Sequence, residues 1–354
     1  MNHTSKLILL LLCLISSMTT IIASKPIVDN IMNNNNNDVI EFDIGKQNTP
    51  IQALAPWHVH VWAPSSSTAN TETPSKVMLF ASGFAGFMAV TDYSNILSSI
   101  SSTTNTVVIG LDRKFKLPSH LTVNYTNLAY TSGEILEYVE NGSLMKELQT
   151  NGFKGTLDST NYIFGAHSAG NHLSVRRMVT YQKCNKFTSM IMIDPVDGED
   201  PSGKIKEYVI HPPAKVNFNI PALHIMTGKD PTGTPPCAPA FMSNNRFYNA
   251  WNGPIYQINA TDFGHMGVVD DNKGGLYKLA CPKNKNKTAV DIYRNMVGNT
   301  VNTFINGLYN TDQDVGMKML NTLKETSTFN GVNVILKQNN MEGMKYVRPG
   351  CTMV

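Results

Sequence analysis

The sequence NYIFGAHSAG at residues 161–170 is the stretch most indicative of the fold. It starts as an apolar run typical of a buried strand, and small residues then surround Ser168 before a helical pattern begins. A sharp strand-to-helix turn built from small residues is the setting of a nucleophile elbow, which holds a serine with its hydroxyl exposed. The motif reads Ala166-x-Ser168-x-Gly170, with alanine at the first position in place of glycine. We therefore predict that Ser168 is a nucleophile.

Short apolar runs alternate with helical stretches on both sides of this motif. The runs predict strands at Trp57–Trp62, Lys76–Ala81, Thr106–Gly110, Asn161–Gly165, Ser189–Ile193, Ala222–Met226 and Ile255–Ile258. The stretches between them predict helices at Asp92–Ser101, Thr126–Leu148, Ala169–Gln182 and Thr288–Leu308. Together they predict an α/β fold, a mostly parallel central sheet with helices on both faces. We expect Trp57–Trp62 and its neighbours to form antiparallel edge strands.

A nucleophilic serine needs a base, and the base needs an acid to orient it. The best candidate for the base is His265, which follows the last predicted strand in Asp262-Phe263-Gly264-His265-Met266. Asp194 and Asp230 each end a predicted strand between Ser168 and His265, where the acid is expected. Spacing alone does not choose between these two aspartates.

The oxyanion hole should combine two backbone N–H groups. One belongs to Ala169, directly after the serine. The other is expected in the loop after the strand Lys76–Ala81, where Gly83 lets the backbone turn inward and Phe84 N–H is the predicted donor. This chemistry needs no metal and no organic cofactor.

The remaining histidines are interpreted as core or surface residues. His172 falls within a predicted helix, His211 in a proline-flanked loop and His224 within a predicted strand. His58 and His60 share one strand face, but no cysteine or carboxylate nearby in the sequence completes a metal site. We therefore predict that they lie on a solvated strand face.

Several of these segments, taken in order, resemble the chlorophyllases, which are α/β-hydrolases that cleave the phytyl ester of chlorophyll. The resemblance runs roughly from Lys76 to Asp271 and is carried by Ser82-Gly83-Phe84, Ala166-His167-Ser168-Ala169-Gly170, Ile193-Asp194-Pro195-Val196, Cys237-Ala238-Pro239, Asp262–Met266 and Asp270-Asp271. It implies an α/β-hydrolase fold and ester hydrolysis. It also implies Ser168 as nucleophile, Asp194 as acid and His265 as base, which selects Asp194 over Asp230.

Three positions depart from the chlorophyllase pattern. Ala169 stands where the family has arginine, Ser82 where it has histidine, and Ala166 where it has the first glycine of the elbow. Two of these positions lie beside the predicted oxyanion hole, where the substrate is selected. The predicted triad itself is intact.

The amino-terminal residues predict export. Lys6 precedes the uncharged run LILLLLCLISSMTTII at 7–22, and Ala23-Ser24 supplies small residues for cleavage, as in a secretory signal peptide. We expect a leader at 1–24, a disordered asparagine-rich segment at 25–38, the α/β-hydrolase domain at 39–310 and a C-terminal extension at 311–354. Within the extension, Val332–Leu336 predicts one more strand. The destination is the extracellular space or an endolysosomal lumen, with no stable membrane span.

An exported chain is expected to carry disulfides and glycans. Cys184, Cys237, Cys281 and Cys351 remain after the leader and allow two disulfides with three possible connectivities. We predict the pair Cys237–Cys281, because both residues flank the predicted site. Four sequons are candidate glycosylation sites, at Asn124, Asn141, Asn259 and Asn286.

The sequence thus predicts a secreted serine ester hydrolase that acts on a small-molecule or lipid ester. The apolar residues Phe84, Phe87 and Met88 after the first buried strand suggest an apolar acyl or alcohol group. Two alternatives are a lipase or phospholipase, and a protein of this fold that binds a lipid or partner without turnover. The formal charge is only +3 over 354 residues, which argues against a nucleic-acid partner.

Overall fold

A mixed sheet of ten strands forms the centre of the protein. The structure is a computed structural model, and it describes residues 38–44, 57–65, 72–113, 125–181, 186–198, 207–230, 237–271, 273, 281–282, 284–324, 328–329 and 331–341. The predicted leader at 1–24 and nearly all of the asparagine-rich segment, along with Asn124, Cys184 and Cys351, lie outside the described residues. From Asp38 onward the described residues belong to one compact unit.

The strands lie close to where the apolar runs predict them. Their bounds are β1 Val39–Ile44, β2 Trp57–Pro64, β3 Ser75–Ala81, β4 Thr106–Arg113, β5 Leu157–His167, β6 Phe187–Ile193, β7 Ala222–Thr227, β8 Ile255–Ala260, β9 Thr328–Phe329 and β10 Val332–Asn339. The order across the sheet is β1-β2-β4-β3-β5-β6-β7-β8-β10-β9. Strands β4, β3, β5, β6, β7 and β8 are parallel to their neighbours in this run. The predicted α/β class with a mostly parallel sheet is therefore confirmed.

Antiparallel strands close both edges of the parallel region. On one side β2 pairs antiparallel with β4 and with β1, as expected for Trp57–Trp62 and its neighbours. On the other side β10 pairs antiparallel with β8 and with β9. The parallel strands consequently have partners on both sides, and their continuous apolar sequences are buried.

Helices cover both faces of the sheet. Alternate residues of a strand point to opposite faces, so Leu79 packs with one core cluster and Phe80 with the other. The first cluster includes side chains of α3 (Tyr125–Glu140), α4 (Ser143–Thr150), α5 (Gly170–Tyr181) and α6 (Asn245–Ala250). The second includes side chains of α2 (Ser94–Thr104), α7 (Lys287–Leu308) and α8 (Gln313–Thr322). A single helical turn, α1 (Gly83–Gly86), follows β3. None of the helices in the described ranges is long and apolar enough to cross a bilayer.

Two of the predicted helices differ in extent from the observed ones. The prediction of one helix at Thr126–Leu148 is wrong, because α3 ends before Asn141-Gly142 and α4 starts after it. Gly142 has φ +80°, a left-handed conformation that glycine adopts without steric cost and that a continuous helix does not allow. The helix predicted at Asp92–Ser101 is split into a 3₁₀ turn at Val90–Tyr93 and α2.

The surroundings of His58 and His60 correct a second prediction. Although no carboxylate is near them in sequence, the antiparallel pairing of β1, β2 and β4 brings three alongside, including Glu41, whose Oε2 lies 3.7 Å from His60 Nε2. Asp43 Oδ1 lies 2.6 Å from His60 Nδ1 and 3.1 Å from His58 Nε2, and Asp112 Oδ1 lies 2.9 Å from His58 Nδ1. These histidines are thus hydrogen-bonded to carboxylates, and His60 is largely buried rather than solvated.

The fold continues past residue 310. Helix α8 packs on α7 in the second core cluster, and β10 extends the sheet beside β8. Along β10, Val334 is 7% exposed and packs in that cluster, whereas its neighbour Ile335 is 53% exposed.

This alternation gives a test of whether the C-terminal strand belongs to the folded domain. We expect Val334→Asp to lower the free energy of unfolding by about 3 kcal/mol, because it buries a charge without a partner. Ile335→Asp places the same charge in solvent one residue later and should change stability by less than about 0.5 kcal/mol. Urea unfolding of both variants measures the difference. Equal effects of the two substitutions would show that β10 does not pack as described.

Candidate active site

Ser168 lies at the sharp turn between β5 and α5. It has φ +54°, a left-handed conformation that a residue with a side chain adopts only under constraint. Its N–H donates to Ile193 O at 3.0 Å, and its own carbonyl accepts the N–H of Val196 at 3.1 Å. The turn is therefore tied to the end of the neighbouring strand β6.

Gly170 allows the elbow to pack against β3. A Cβ at this position would lie 2.4 Å from Ala81 O and 2.7 Å from Ser82 O, which are backbone atoms that cannot move aside easily. The last small residue of the motif is consequently required by the close approach of α5 to the end of β3.

Ser168, His265 and Asp194 form a continuous hydrogen-bonded chain. His265 Nε2 lies 2.7 Å from Ser168 Oγ, and His265 Nδ1 lies 2.6 Å from Asp194 Oδ2. All three are buried, Ser168 being the most accessible at 5%. They follow β5, β8 and β6, which are parallel strands of one sheet, so their carboxyl ends meet at the same edge. This is the arrangement of a nucleophile, a base and an orienting acid.

The charge on Asp194 is stabilised by donors from β7. Thr227 donates its backbone N–H to Oδ1 at 3.0 Å and its hydroxyl to Oδ2 at 2.7 Å. Burial would raise the pKa of the Asp194 carboxyl. The hydrogen bond and the charge of His265, together with the two hydrogen bonds from Thr227, instead hold this pKa below its ordinary value. Burial would likewise lower the pKa of His265, but Asp194 and the charge of Asp230 raise it. The aspartate thus makes His265 a stronger base.

Asp230 contacts the same histidine at a different atom. One of its oxygens accepts the backbone N–H of His265, and the other accepts that of Cys237 at 3.2 Å. Burial, aided by the charge of Asp194, raises the pKa of the Asp230 carboxyl. Of the two candidate acids, only Asp194 contacts the imidazole among the described hydrogen bonds. Asp230 holds the loop that carries it.

The expected oxyanion donors lie at the ends of β3 and β5, two neighbouring strands. Phe84 lies in α1 with φ +51°, and its carbonyl accepts a hydrogen bond from Arg113 Nη2 at 2.8 Å. Ala169 immediately precedes the first residue of α5, so its N–H lies at the positive end of that helix dipole. The two N–H groups stay the predicted donors of an oxyanion hole beside Ser168.

Several residues that support the site are not among those predicted from the sequence. Asn171 Nδ2 donates to Ala166 O and Ser168 O, both at 3.1 Å, and so fixes the elbow from within α5. Arg294 of α7 donates to Gly267 O and Val269 O, at the end of the turn that begins at His265. Asn171 is adjacent to the elbow motif and Thr227 follows a predicted strand. Arg294 has no such signal, because the two carbonyls that it bonds in the His265 turn lie more than twenty residues away in sequence.

The histidines interpreted as core or surface residues lie outside the chain of contacts to Ser168. His172 is buried with Nδ1 2.8 Å from Asp197 Oδ1, and His224 is buried with Nε2 3.2 Å from Asn244 Oδ1. His211 is exposed.

One group of potential metal ligands converges within the described parts of the chain, and it is the site itself. Oxygen and nitrogen atoms of Asp194, Asp230 and His265 lie within 4.8 Å of one another. These atoms are already engaged with each other, with Thr227 and with backbone N–H groups. Their contacts are those of a hydrogen-bonded base with two supporting carboxylates.

A disulfide lies next to the site. It joins Cys237 and Cys281, the predicted pair, with Cα atoms 5.5 Å apart. It links the segment after β7 to the segment after the His265 turn, and Cys237 N–H contacts Asp230.

The described sequons differ in accessibility. Asn141 is exposed in the turn between α3 and α4, and Asn286 is exposed as the N-cap of α7, where its side chain accepts the Ala289 N–H. Asn259 lies within β8, half-buried, with Oδ1 enclosed.

Comparison with known proteins places the chain in one family. The family model described as Chlorophyllase matches residues 28–334. Chlorophyllase-1 and Chlorophyllase-2 of Arabidopsis thaliana are 27% and 29% identical over 125 and 135 residues, 34% of this chain in each case. These matches span 39% and 41% of the two Arabidopsis proteins, less than half of their length. A protein of Citrus unshiu named Chlorophyllase-1, chloroplastic, is 25% identical over 299 residues, which is 76% of this chain and 85% of the relative.

Because the two aspartates contact His265 differently, their substitution is expected to lower kcat to different extents. We expect Asp194→Asn to lower kcat for p-nitrophenyl ester hydrolysis by a factor on the order of 10³ to 10⁴, because His265 loses its orienting carboxylate. Asp230→Asn keeps one oxygen acceptor for the backbone, so we expect a loss on the order of tenfold. The two variants are matched in size and charge, and thermal unfolding checks that both are folded. A larger loss at Asp230 than at Asp194 would contradict the assignment of the acid.

Proposed function

The chain belongs to the chlorophyllase family, and we propose that it hydrolyses carboxylic esters through an acyl-enzyme on Ser168. One observation carries the proposal: the buried chain of contacts from Asp194 through His265 to the Ser168 hydroxyl, at 2.6 and 2.7 Å. A serine alone is a weak nucleophile, and this contact supplies a base at hydrogen-bonding distance from its proton.

In the proposed first step, Ser168 Oγ attacks the ester carbonyl while its proton moves to His265 Nε2. The imidazolium that results is stabilised by the carboxylate of Asp194. The carbonyl oxygen becomes an oxyanion, which accepts hydrogen bonds from the N–H groups of Phe84 and Ala169. His265 then gives the proton to the leaving alkoxide, so the alcohol departs and the acyl group remains on Ser168.

In the second step, water takes the place of the alcohol. His265 Nε2 accepts a proton from the water as its oxygen attacks the acyl-enzyme carbonyl. The tetrahedral intermediate collapses, His265 returns the proton to Ser168 Oγ, and the carboxylic acid is released. Every proton in the cycle is carried by His265.

The substrate that we propose has an apolar acyl or alcohol group. Phe84 and Phe87 of the turn after β3 are half-buried, and the Arg113 guanidinium lies 5.7 Å from the Phe87 ring centre. Met88, which the sequence analysis grouped with them, is 4% exposed and packs in the second core cluster. The apolar contribution to the site is consequently assigned to the two phenylalanines.

A fluorophosphonate probe tests the serine mechanism. We expect the wild-type protein to be labelled at Ser168 and Ser168→Ala to be unlabelled, because the probe reacts with an activated serine. Ser174 of α5 is buried and donates to Gly170 O, so Ser174→Ala is a matched control that should label as the wild type does. Absence of labelling in the folded wild-type protein would favour a binding protein without turnover. Equal labelling of Ser168→Ala would contradict the proposed nucleophile.

The same preparations identify the class of ester. Short p-nitrophenyl esters, long-chain triglycerides, phospholipids and phytyl esters are compared by kcat/KM with the wild-type protein and Ser168→Ala. Preference for emulsified long-chain glycerides or phospholipids over all monomeric esters would assign the protein to lipases or phospholipases instead.

We also propose that the chain is exported, with residues 1–24 removed. The proposal rests on the uncharged run at 7–22 with small residues at Ala23-Ser24, and the disulfide Cys237–Cys281 suits an oxidising compartment. Expressed with a C-terminal tag in eukaryotic cells, the protein should reach the medium or an endolysosomal fraction with its amino terminus near residue 24 or 25. An intact amino terminus on a cytosolic product would contradict export.

A further inference from the structure

We propose that Tyr93 and His167 are positioning residues that join the turn carrying the oxyanion donor Phe84 to the backbone of the base His265. The inference rests on the proposed function, because it assigns a role in the same reaction. It concerns two buried, titratable side chains that the proposed reaction steps do not use.

His167 directly precedes Ser168 and is completely buried. Its Nε2 lies 3.0 Å from His265 O, and its Nδ1 lies 2.8 Å from the Tyr93 hydroxyl. A carbonyl oxygen can only accept a hydrogen bond, so Nε2 carries the proton and donates to His265 O. In a neutral imidazole Nδ1 is then the acceptor, and Tyr93 donates to it.

Tyr93 connects this histidine to the oxyanion turn. Its hydroxyl oxygen accepts the N–H of Gly83 at 3.2 Å, and Gly83 is the residue before Phe84. Tyr93 itself ends the 3₁₀ turn that starts at Val90, whose N–H donates to Asp112 Oδ2 of β4 at 2.7 Å. The Tyr93 phenol thus links the oxyanion turn to the residue before the nucleophile, and the N–H of Val90 ties the 3₁₀ turn that carries it to β4.

The chain leaves room for this contact only because residue 83 is glycine. A Cβ there would lie 3.1 Å from both the Tyr93 hydroxyl and His167 Nδ1, and 2.9 Å from Met88 Sδ. At these distances either the turn or the neighbouring side chains would have to move by a few tenths of an ångström. The small residue, the phenol and the imidazole therefore act as one unit.

Besides its contact with Ser168, His265 is consequently held at three points. Asp194 contacts its ring, Asp230 accepts its backbone N–H, and His167 donates to its carbonyl. The rings of His167 and His265 also lie 4.7 Å apart. Losing the contact to the carbonyl frees one side of the loop and lets the imidazole shift from Asp194 and from Ser168.

Charge explains why a histidine can serve so near the base. Burial, with a contribution from the charge of His265, lowers the pKa of His167 to about 3, and burial raises the pKa of Tyr93 well above its ordinary value. Both side chains stay neutral, so they orient His265 without opposing its protonation during the reaction.

Tyr93→Phe, His167→Gln and the double variant test the inference. We expect Tyr93→Phe to lower kcat on p-nitrophenyl esters on the order of tenfold, with KM changed less than about twofold, because one hydrogen bond to an aligned group is lost. His167→Gln should lower kcat by a similar factor or more. The double variant should lose about as much as the worse single one, because both act through the same contacts. His167→Asn, whose shorter amide cannot reach His265 O, should lose more than His167→Gln.

The pH dependence of kcat/KM distinguishes a misplaced His265 from a smaller amount of folded protein. The contact with Asp194 raises the pKa of His265, and activity needs the unprotonated base, so a loosened contact moves the acid limb of kcat/KM to lower pH. Rates are divided by the number of active sites titrated with a fluorophosphonate. Tyr256→Phe and His224→Gln are matched controls at buried positions of the neighbouring strands, and they should leave the limb and kcat within about twofold of the wild type.

The outcomes are distinct. A lower kcat per active site with a shifted acid limb supports the inference. The inference would be overturned if the Tyr93 and His167 variants matched the two controls in rate per active site and in the acid limb. If Ser168→Ala is inactive in the same experiment, the proposed function stays intact. Hydrolysis that survives Ser168→Ala would overturn both.

Discussion

The hydrogen bond between Asp194 and His265 is the interaction on which the site depends. It joins the loops after β6 and β8 across the strand between them, and it raises the pKa of the histidine although burial opposes this. A buried carboxylate without donors would cost several kcal/mol, and Thr227 of the intervening strand supplies both a backbone and a hydroxyl donor. The surrounding contacts of Asp230 and Arg294 hold the histidine loop against this carboxylate.

The parallel sheet makes that interaction possible. The candidate site residues follow parallel strands of one sheet. Residues that are far apart in the sequence therefore meet at one edge of the sheet, within hydrogen-bonding distance. Ser168, Asp194 and Phe84 each have φ between +42° and +54°, which directs a side chain or an N–H out of a tight turn at the end of a strand. These strained conformations are maintained because the turns are hydrogen-bonded to adjacent strands and because Gly170 allows close packing against β3.

Periodicity and motif spacing predicted most of the fold and the order of the candidate site residues. Apolar runs marked the parallel strands because those strands are buried on both faces, and the elbow motif combined strand, turn and helix in one stretch. The choice of Asp194 needed the family resemblance, since both aspartates end neighbouring strands. The break at Gly142, the carboxylates beside His58 and His60, and the contacts of Tyr93 and Arg294 depend on pairing across distant segments, which local patterns do not encode.

The most direct test of the central claim is mass spectrometry of the protein quenched in acid during turnover of a slowly deacylated p-nitrophenyl ester. We expect one acyl group per molecule, carried by the peptide that contains Ser168, and we expect it to disappear when the ester is consumed. An acyl group on a different residue, or turnover during which no acyl-enzyme forms at Ser168 even when deacylation is limiting, would contradict the claim.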